Sequence, residues 1–474
     1  MLANAVAFLY PSCMAAWRLA GLLLVASLTS PVVGQRAALV RAVNDAEARG
    51  VRTGVAVCDE DAEVLYRHRA GELFAPASNM KLLTAAAALH GLGQTYKFVT
   101  EFAVEAGSLV VKASGDPNWI ADTSDDPAKV FGALAAALRQ RGVTSLREVR
   151  LDHGTFTGPS RPATWPRDQF YAYYCAPTGP FVLQQGTFVV GISASGGRNA
   201  RAALLAPQAG YAISGSIREV ASSKGATYGA VDEGGSIRVR GKFYKKSPRV
   251  QIKTSVNSPS RWYRDALMHH LRAGGVSMSD GARPVDLGVV HKHQSALAAA
   301  LTRILEDSSN FDAEQCMRVL GAESLGDGSL DGGRRAVRAA IGAIVGRVPD
   351  GVVVADGSGL SKENRITPGL LVVTMYQLSV KGLAVPLCEH LPVAGKTGTL
   401  RKRFLGSDLV GRVRAKTGWI RGASSLSGLV AGPDGRPRWF SILMNYDRGR
   451  GGLNKDLKKI QERIVAAVAG MSAG

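Results

Sequence analysis

The sequence predicts an α+β protein in which a helix-rich domain with a small antiparallel sheet is interrupted by a β-rich inserted region. Three observations lead to this prediction. Helix-forming runs stand near both ends of the chain, and short strand-like runs separated by glycine, proline and aspartate fill residues 99–255. Three further strand-like runs precede the last helical pattern. We therefore expect the segments before and after the insertion to fold together.

The size and composition of the chain fit this division. Its 474 residues are long for one hydrophobic core and suggest two or three domains. With 46% hydrophobic and 20% charged residues, the composition is typical of a soluble globular protein. We predict a discontinuous catalytic domain of residues 36–98 plus 256–474 and an inserted β-rich region of residues 99–255.

The N-terminal residues 1–34 have the pattern of a secretory signal peptide. Arg18 precedes an apolar run, Leu19–Ala26, and small residues follow it up to Gly34. The alternative is a membrane anchor, but the apolar run is short for a bilayer and Pro31 interrupts its end. We expect cleavage after about Gly34 and export to the periplasm or the cell exterior. The true start could be Met1 or Met14.

The predicted elements before the insertion are a helix and two strands, at Ala37–Arg49, Gly54–Cys58 and Glu63–Tyr66. Pro76 then stands just ahead of a run of strong helix formers, which Gly91 ends. Ser78 is therefore predicted in the first turn of a buried helix.

Strand patterns dominate the insertion, and helical patterns return after it. The insertion is predicted to hold one helix at Pro127–Arg141 and strands that include Leu109–Ser114 and Ser236–Arg240. After it we predict helices at Trp262–Ala273, Ser295–Glu306, Ala313–Leu320 and Arg334–Val345. Three strands at Val410–Ala415, Ser424–Val430 and Trp439–Met444 precede a final amphipathic helix, whose apolar stripe suggests core packing.

Ser78 and Lys81 form the first candidate catalytic element. Residues three apart lie on one face of a helix, so the lysine amine can reach the serine hydroxyl. A serine becomes a strong nucleophile only when a neighbouring base takes its proton, and burial can lower the pKa of a lysine enough for this role. The helix N-terminus would also favour an oxyanion. The S-x-x-K pattern alone is weak evidence, because about one chance match is expected in a chain of this length.

Two further motifs follow in the order that makes the first one specific. Ser308, Ser309 and Asn310 form an S-x-N element after a predicted helix, although alone it could be a polar turn. The triplet Lys-Thr-Gly occurs twice, at residues 396–398 and 416–418. The set S-x-x-K, S-x-N and K-T-G is typical of penicillin-binding proteins and class A β-lactamases.

With these motifs, the chain resembles the low-molecular-mass penicillin-binding proteins of the D-alanyl-D-alanine carboxypeptidase/endopeptidase type, which have a large insertion after the nucleophile helix. The resemblance covers residues from about 50 to 445. Beyond the three motifs it rests on four segments, at residues 114–117, 356–361, 391–400 and 413–428. It implies a penicillin-recognising transpeptidase/β-lactamase-like fold and a serine D,D-peptidase that acts on peptidoglycan stem peptides and is acylated by β-lactam antibiotics.

The resemblance also implies the role of each motif residue. Ser78 would attack the D-Ala–D-Ala bond with Lys81 as its base, and Ser308 and Asn310 would relay protons and hold the peptide. Lys416, Thr417 and Gly418 would bind the terminal carboxylate, and backbone N–H groups of Ser78 and Trp419 would form the oxyanion hole. The family usually has a small hydroxyl residue in place of Trp419, which could narrow the pocket.

Two choices remain within this assignment. We prefer Lys416 to Lys396 as the carboxylate-binding lysine, because a strand-like run leads directly into Lys416. The segment that follows Lys396 contains the basic residues 401–403 and is predicted to form a loop. Asp152, at the end of a strand-like run in the insertion, is predicted to select the amino group of the peptide, because an acidic residue of the inserted region has that role in the resembling family. The alternative for Asp152 is an ordinary turn aspartate.

Other classes of function fit the sequence less well. The chain has no G-x-S-x-G motif of an α/β-hydrolase, and its histidine pairs lack the H-E-x-x-H pattern of a zinc site, so we expect no metal and no cofactor. A β-lactamase shares the motifs but lacks so large an insertion. A non-catalytic penicillin-binding or wall-binding relic remains the alternative from another class.

Charge and cysteines give weaker indications. The formal net charge of +20 could reflect a basic surface, or attraction to anionic wall polymers or membranes; no nucleic-acid module accompanies it. Of five cysteines, Cys13 falls in the signal segment. The other four could form disulfides or remain buried as small hydrophobic residues.

Overall fold

The computed structural model describes residues 31–205 and 211–471. The predicted signal peptide therefore lies outside the described residues except for its last four residues, which begin the first helix, α1 (Pro31–Ala48). In the described parts of the chain, no helix combines the length and apolarity needed to cross a membrane.

A five-stranded antiparallel sheet forms the centre of the catalytic domain. Its strand order is β15-β16-β17-β1-β2, so strands from the two ends of the chain lie side by side. The strands are β1 (Arg52–Cys58), β2 (Val64–His68), β15 (Val413–Ile420), β16 (Ala423–Ala431) and β17 (Pro437–Asn445). This pairing joins segments that flank the insertion in sequence.

Helices cover both faces of this sheet. On one face, α1 and α10 (Asn454–Ala469) pack against side chains such as Val55 and Ile442. On the other face, Ala56 and Leu443 join the core of six helices. These are α2 (Met80–Gly91), α5 (Leu297–Leu305), α6 (Asn310–Leu325), α7 (Leu330–Val345), α8 (Pro368–Val380) and α9 (Ala384–Glu389). Because successive strand residues point to opposite faces, β1 and β17 are apolar on both.

The described residues of the inserted region form four small sheets and two α-helices. A four-stranded sheet has the order β14-β3-β4-β6, two three-stranded sheets have the orders β10-β11-β9 and β12-β7-β8, and β13 pairs with β5. The first sheet consists of β3 (Lys97–Glu105), β4 (Ser108–Lys112), β6 (Val149–Asp152) and β14 (Gly288–Ala296). The others consist of β5 (Ser145–Leu146), β7 (Thr187–Ser193), β8 (Arg201–Leu205), β9 (Ala212–Val220), β10 (Tyr228–Asp232), β11 (Ser236–Tyr244), β12 (Val250–Ser255) and β13 (Ser277–Met278).

The hydrophobic core of the insertion extends further along the chain than residue 255, the boundary expected from the sequence. Helix α4 (Pro259–Ala273) packs against α3 (Pro127–Gln140), and Trp262 and Leu267 belong to the same buried cluster as Phe131. β14 then pairs with β3, so the chain leaves the insertion only at Ala296. The predicted helix Ser295–Glu306 accordingly begins two residues late, at Leu297, because Ser295 and Ala296 belong to that strand.

The cysteines within the described residues form no disulfide. Cys58, Cys175, Cys316 and Cys388 are all buried and free, which decides between the two alternatives left open by the sequence. Burial raises the pKa of Cys58 and Cys175 to about 12, so these thiols are protonated at physiological pH. They act as small hydrophobic side chains.

Candidate active site

The nucleophile candidate stands on a tight turn at the start of α2. After Pro76 the chain makes one turn of 3₁₀ helix, Ala77–Asn79, and continues into α2. Ala77 has a φ of +48°, a region that residues other than glycine seldom occupy. Such backbone strain persists only where surrounding contacts impose it, and it is frequent at active sites. Ser78 is thereby held at the helix start, as predicted.

Lys81 is fully buried and its amine contacts three groups of the site. Nζ donates to Ser78 Oγ at 3.2 Å, to Asn310 Oδ1 at 2.7 Å and to the Ser358 carbonyl at 2.6 Å. Burial lowers the pKa of Lys81 to about 8, against the opposing influence of Asp356 and Glu314. The lowered pKa makes the neutral amine, the form that a general base requires, more accessible near physiological pH.

The S-x-N element forms the turn that begins α6. Ser309 caps the helix by accepting from the Asp312 N–H, while Ser308 has a φ of +64°. Asn310 is the first residue of the helix, and its Nδ2 donates to the Tyr174 carbonyl at 2.9 Å. Among residues 31–205 and 211–471, the Ser308 hydroxyl has no hydrogen-bond partner in the protein. It is therefore free to bond a substrate group.

Strand β15 supplies the second buried lysine and packs against the nucleophile turn. Lys416 is fully buried, and its Nζ donates to the Thr417 carbonyl at 3.0 Å. Burial holds the pKa of Lys416 well below its usual value, and the charge of Lys81 lowers it further. Asn79 Nδ2 donates to the Lys416 carbonyl at 2.6 Å, which joins β15 to the turn that carries Ser78.

The next residues of β15 lie along the edge of the sheet. Thr417 donates to the hydroxyl of Thr399 at 2.9 Å, and Trp419 is 55% exposed. Gly418 has no room for a side chain, because a Cβ there would lie 2.1 Å from Ser425 Oγ and 2.9 Å from Ser78 N. The strand can approach the nucleophile this closely only with glycine at position 418.

The two Lys-Thr-Gly triplets occupy different environments. Lys416 is buried within a strand, whereas Lys396 is exposed in a turn before the short 3₁₀ helix Gly398–Leu400. The segment around Lys396 nevertheless lies beside β15, since the Ala394 N–H donates to the Val413 carbonyl. Its Thr399 contacts Thr417, so the first triplet borders β15 through the threonine that follows it.

Asp152 lies apart from this group of side chains. It is the exposed last residue of β6, and its Oδ1 accepts the Gly154 N–H at 3.0 Å in a local turn. Within the described parts of the chain, no hydrogen bond or ion pair connects Asp152 to Ser78, Lys81 or Lys416. Its role in selecting the peptide amine stays a prediction.

Several buried polar residues that support the site received no role from the sequence. Glu314 Oε1 accepts the Ser358 N–H at 2.8 Å. The backbone carbonyl of Ser358 in turn accepts from Lys81. Burial raises the pKa of Glu314 to about 8, to which the charge of Asp356 contributes. The position of Glu314, four residues after Asn310 on a helix, could have indicated that both face the same side.

A second supporting network lies beneath the S-x-N turn. Arg303 donates to Asp312 Oδ1 at 2.6 and 2.9 Å and to Asn118 Oδ1 at 2.6 Å. Gln185, from the insertion, donates to Asp312 Oδ2 at 2.6 Å. The buried Asp312 thereby holds the start of α6 against both the helix α5 and the insertion.

These groups are arranged for acyl transfer to a serine. A hydroxyl on a helix start lies beside a buried amine of lowered pKa, and a second buried lysine on the neighbouring strand can receive an anionic group. The fold and the site define a serine acyl-transfer hydrolase. The D-Ala-D-Ala carboxypeptidase 3 (S13) family matches residues 35–469, so the chain belongs to this family.

Comparison with known proteins supports this membership. The chain is 31% identical over 440 residues to the D-alanyl-D-alanine carboxypeptidase of Actinomadura sp. (strain R39), covering 86% of this chain and 80% of that protein. It is 25% identical over 443 residues to the penicillin-sensitive carboxypeptidase A of Dictyostelium discoideum, covering 83% and 81%. Among solved structures, penicillin binding protein 4 from Haemophilus influenzae matches with a TM-score of 0.78 at 20% identity, covering 91% of this chain and 99% of that chain.

The resemblance identified in the sequence is confirmed by these matches. The protein is a serine D,D-peptidase of the D-alanyl-D-alanine carboxypeptidase type that acts on peptidoglycan peptides. The transpeptidase/β-lactamase-like α+β fold with an insertion is also confirmed.

Proposed function

We propose that Ser78 is the nucleophile of this peptidase and Lys81 its general base. The observation that carries the proposal is the buried Lys81 amine, 3.2 Å from Ser78 Oγ and 2.7 Å from Asn310 Oδ1. Its pKa of about 8 leaves part of the amine neutral at physiological pH, and neutrality is the condition for taking a proton from the serine.

The proposed reaction has two steps. Ser78 Oγ attacks the carbonyl carbon of the penultimate D-alanine as its proton passes to Lys81, and the peptide bond breaks when the proton reaches the departing amine of D-alanine. Water then attacks the acyl-enzyme and gives a proton to the lysine. The ester bond to Ser78 Oγ breaks, the lysine returns the proton to that oxygen, and the shortened peptide leaves. Ser308 and Asn310 relay these protons and hold the peptide, a role that the free hydroxyl of Ser308 allows.

The C-terminal carboxylate of the substrate is proposed to bind Lys416, Thr417 and Gly418. A buried lysine with few protein partners gains most from a bound anion. Backbone N–H groups of Ser78 and Trp419 would stabilise the oxyanion. The exposed ring of Trp419 stands where the family usually has a small side chain, so it would narrow this end of the cleft.

We further propose that β-lactam antibiotics acylate Ser78 and that the protein works outside the cytoplasm. One relative is named a penicillin-sensitive carboxypeptidase, and penicillin binding protein 4 from Haemophilus influenzae has also been solved in complex with a β-lactam. Because peptidoglycan lies beyond the cytoplasmic membrane, its hydrolysis requires export to the periplasm or the cell exterior. The net charge of +20 favours peripheral contact with an anionic wall or membrane surface.

Labelling with a fluorescent penicillin, combined with an assay of D-alanine release, tests this assignment. Mass spectrometry should locate the adduct on the peptide that contains Ser78, and Ser78→Ala should abolish both labelling and release. Lys81→Ala should be nearly as inactive, because groups of one proton-transfer unit fail together. An adduct on another serine would refute the mechanism. Rapid turnover of penicillin would indicate a β-lactamase, and labelling without release a non-catalytic binding protein.

Asp152 is tested by comparing two substrates. Asp152→Asn should weaken turnover of peptides that end in a diaminopimelate-type amine, while acylation by penicillin, which lacks that group, stays at the level of the unmodified protein. If both activities fall equally, Asp152 has no selective role. Its exposed position makes loss of folding an improbable explanation of either result.

A further inference from the structure

The three-stranded sheet of β9, β10 and β11 has two faces of opposite character. Ile217, Val239 and Phe243 point inward and belong to the hydrophobic core of the insertion. Residues one position away point outward, because side chains alternate along a strand. The outward face of this sheet is exposed and strongly basic.

Four cations stand on the outward face. Arg238, Arg240 and Lys242 are alternate, exposed residues of β11, and Arg218 of β9 is paired directly with Lys242. The other outward residues of β9 opposite this row are small, Ser214 and Ser216. On the other side of β11, Gly229 and Val231 of β10 are paired with Arg240 and Arg238, so the direct partners of these two arginines are small and uncharged.

Few acidic groups balance these charges. Arg238 pairs with Glu233 at 2.9 Å, but Arg218, Arg240 and Lys242 form no ion pair with any carboxylate of residues 31–205 and 211–471. Residues 187–255 contain eleven lysines and arginines against three acidic residues, so eight of the twenty net positive charges lie in this segment. The basic character of the chain is thus concentrated here.

The arrangement of the cations fits an extended polyanion. Alternate residues of a strand are about 6.8 Å apart, so β11 presents its three charges as a straight row. A compact anion would instead need cations that converge on one point. A bilayer would favour apolar side chains beside the charges. None of the exposed large hydrophobic residues of the described chain lies between residues 211 and 255.

We propose that the outward face of β9–β11, with Arg218, Arg238, Arg240 and Lys242, binds a linear wall polymer that carries repeated phosphodiester groups. Phosphates spaced along such a polymer pair with the row of cations, and release of counterions makes the binding dependent on salt. Binding holds the peptidase on the wall beside its peptide substrates, which raises their effective concentration. This inference rests on the proposed function only because it takes the protein to work outside the cytoplasm, where such a polymer lies.

Binding to long-chain polyphosphate, measured by fluorescence anisotropy at low and physiological salt, tests the proposal. The double variant Arg240→Glu/Lys242→Glu should bind at least about tenfold more weakly than the unmodified protein and show a smaller salt dependence. The matched control is Lys455→Glu/Lys459→Glu on α10, which changes the net charge equally at two exposed lysines. We expect its affinity to stay within about twofold.

Three outcomes would overturn the proposal. Equal weakening in both double variants would show that net charge, not this face, attracts the polymer. Binding to vesicles of phosphatidylglycerol without binding to polyphosphate would show that the face recognises a membrane. Equal affinity for triphosphate and long-chain polyphosphate would show a site for a compact anion. Penicillin acylation, measured on every variant, reports folding and the catalytic assignment separately, and should not change.

Discussion

Two lysines are buried within one site, and we propose a different role for each. Burial lowers the pKa of Lys81 to about 8, which suits the base that we propose, and it holds the pKa of Lys416 well below its usual value. In the free enzyme the charged form of Lys416 is disfavoured by burial and by Lys81. A carboxylate that binds there supplies the missing negative charge, so substrate binding and protonation of Lys416 favour each other.

The two Lys-Thr-Gly copies give the first prediction. Lys416→Ala should slow penicillin acylation and D-alanine release by about 100-fold or more, because the site loses the buried amine that is proposed to hold the carboxylate. Lys396→Ala should stay within about threefold of the unmodified enzyme, since Lys396 is exposed. Rapid-quench measurement of acylation by a fluorescent penicillin provides the rates. The reverse pattern would assign the carboxylate site to the first copy.

The pH dependence of acylation is the second prediction. A base must be neutral, so the second-order rate constant should rise with pH and reach half its plateau near pH 8, the pKa of Lys81. Acylation is measured between pH 6 and 9, with thermal stability followed over the same range as a control. A midpoint near 6.5 would contradict the lysine base and indicate a histidine.

Individual residues were predictable from sequence where a motif fixed them by local geometry. The spacing of Ser78 and Lys81 on a helix start suffices to bring them together. Trp165 and Tyr174 could not be predicted in the same way, because they lie in the insertion and reach Asp356 and Asn310 only through tertiary folding. No periodicity or spacing encodes such contacts between distant segments.

At the scale of elements, the site depends on the contact between β15 and the turn before α2. Three hydrogen bonds of the Pro76–Asn79 turn reach the sheet: Asn79 to the Lys416 carbonyl, Ser425 to the Pro76 carbonyl, and Ser427 to Asn79. Gly418 permits the close approach. The distance between Ser78 and Lys416 is therefore set by the buried side chains of Asn79, Ser425 and Ser427, which hold the turn against the sheet.

Gly418→Ala is the third prediction. The added methyl group would meet Ser425 Oγ and the Ser78 N–H, so β15 must move away and acylation should fall at least about 100-fold. Gly132→Ala on α3 is the matched control, because its Cβ meets nothing within 4 Å. That change should leave acylation intact and raise thermal stability slightly, as expected for alanine in a helix. Full activity in Gly418→Ala would refute the tight contact.

The boundaries of elements show what the sequence leaves open. The predicted strand Val410–Ala415 runs instead from Val413 to Ile420, because turns occupy residues 407–412 before the sheet begins. α8 received no prediction, although Thr367 caps it and Pro368 occupies its first turn. Its β-branched, largely buried sequence lacks the amphipathic period that reveals a surface helix. Tertiary burial thus determined the secondary structure where the local sequence pattern was ambiguous.

At the scale of the whole molecule, the insertion is part of the site and not an appendage. Trp165 donates to Asp356 at 2.8 Å, the Tyr174 carbonyl accepts from Asn310, and Gln185 donates to Asp312. Each contact reaches either the start of α6, at the S-x-N turn, or the segment whose Ser358 carbonyl binds Lys81. We therefore expect changes inside the insertion to affect acylation even when they lie far from the cleft.

Trp165→Phe is the fourth prediction. It keeps an aromatic ring but removes the N–H that Asp356 accepts, so acylation should fall at least about fivefold, the scale of losing a hydrogen bond to a carboxylate. Trp439→Phe is the matched control. Trp439 is equally buried, and its Nε1 has no partner among the described residues. Stopped-flow acylation rates that are alike for both variants would mean that only ring volume matters.

The strand order of the central sheet also governs when this enzyme can become active during its synthesis. Arg52 of β1 pairs with Asn445 of β17, so the sheet cannot close until almost the entire chain has left the ribosome or the export channel. Contacts so far apart in sequence form slowly. Ser78 emerges early, yet the strand that carries Lys416 arrives more than three hundred residues later. We therefore expect a half-made or truncated chain to carry an unreactive serine, and hydrolytic competence to be acquired only when the last strands join the sheet.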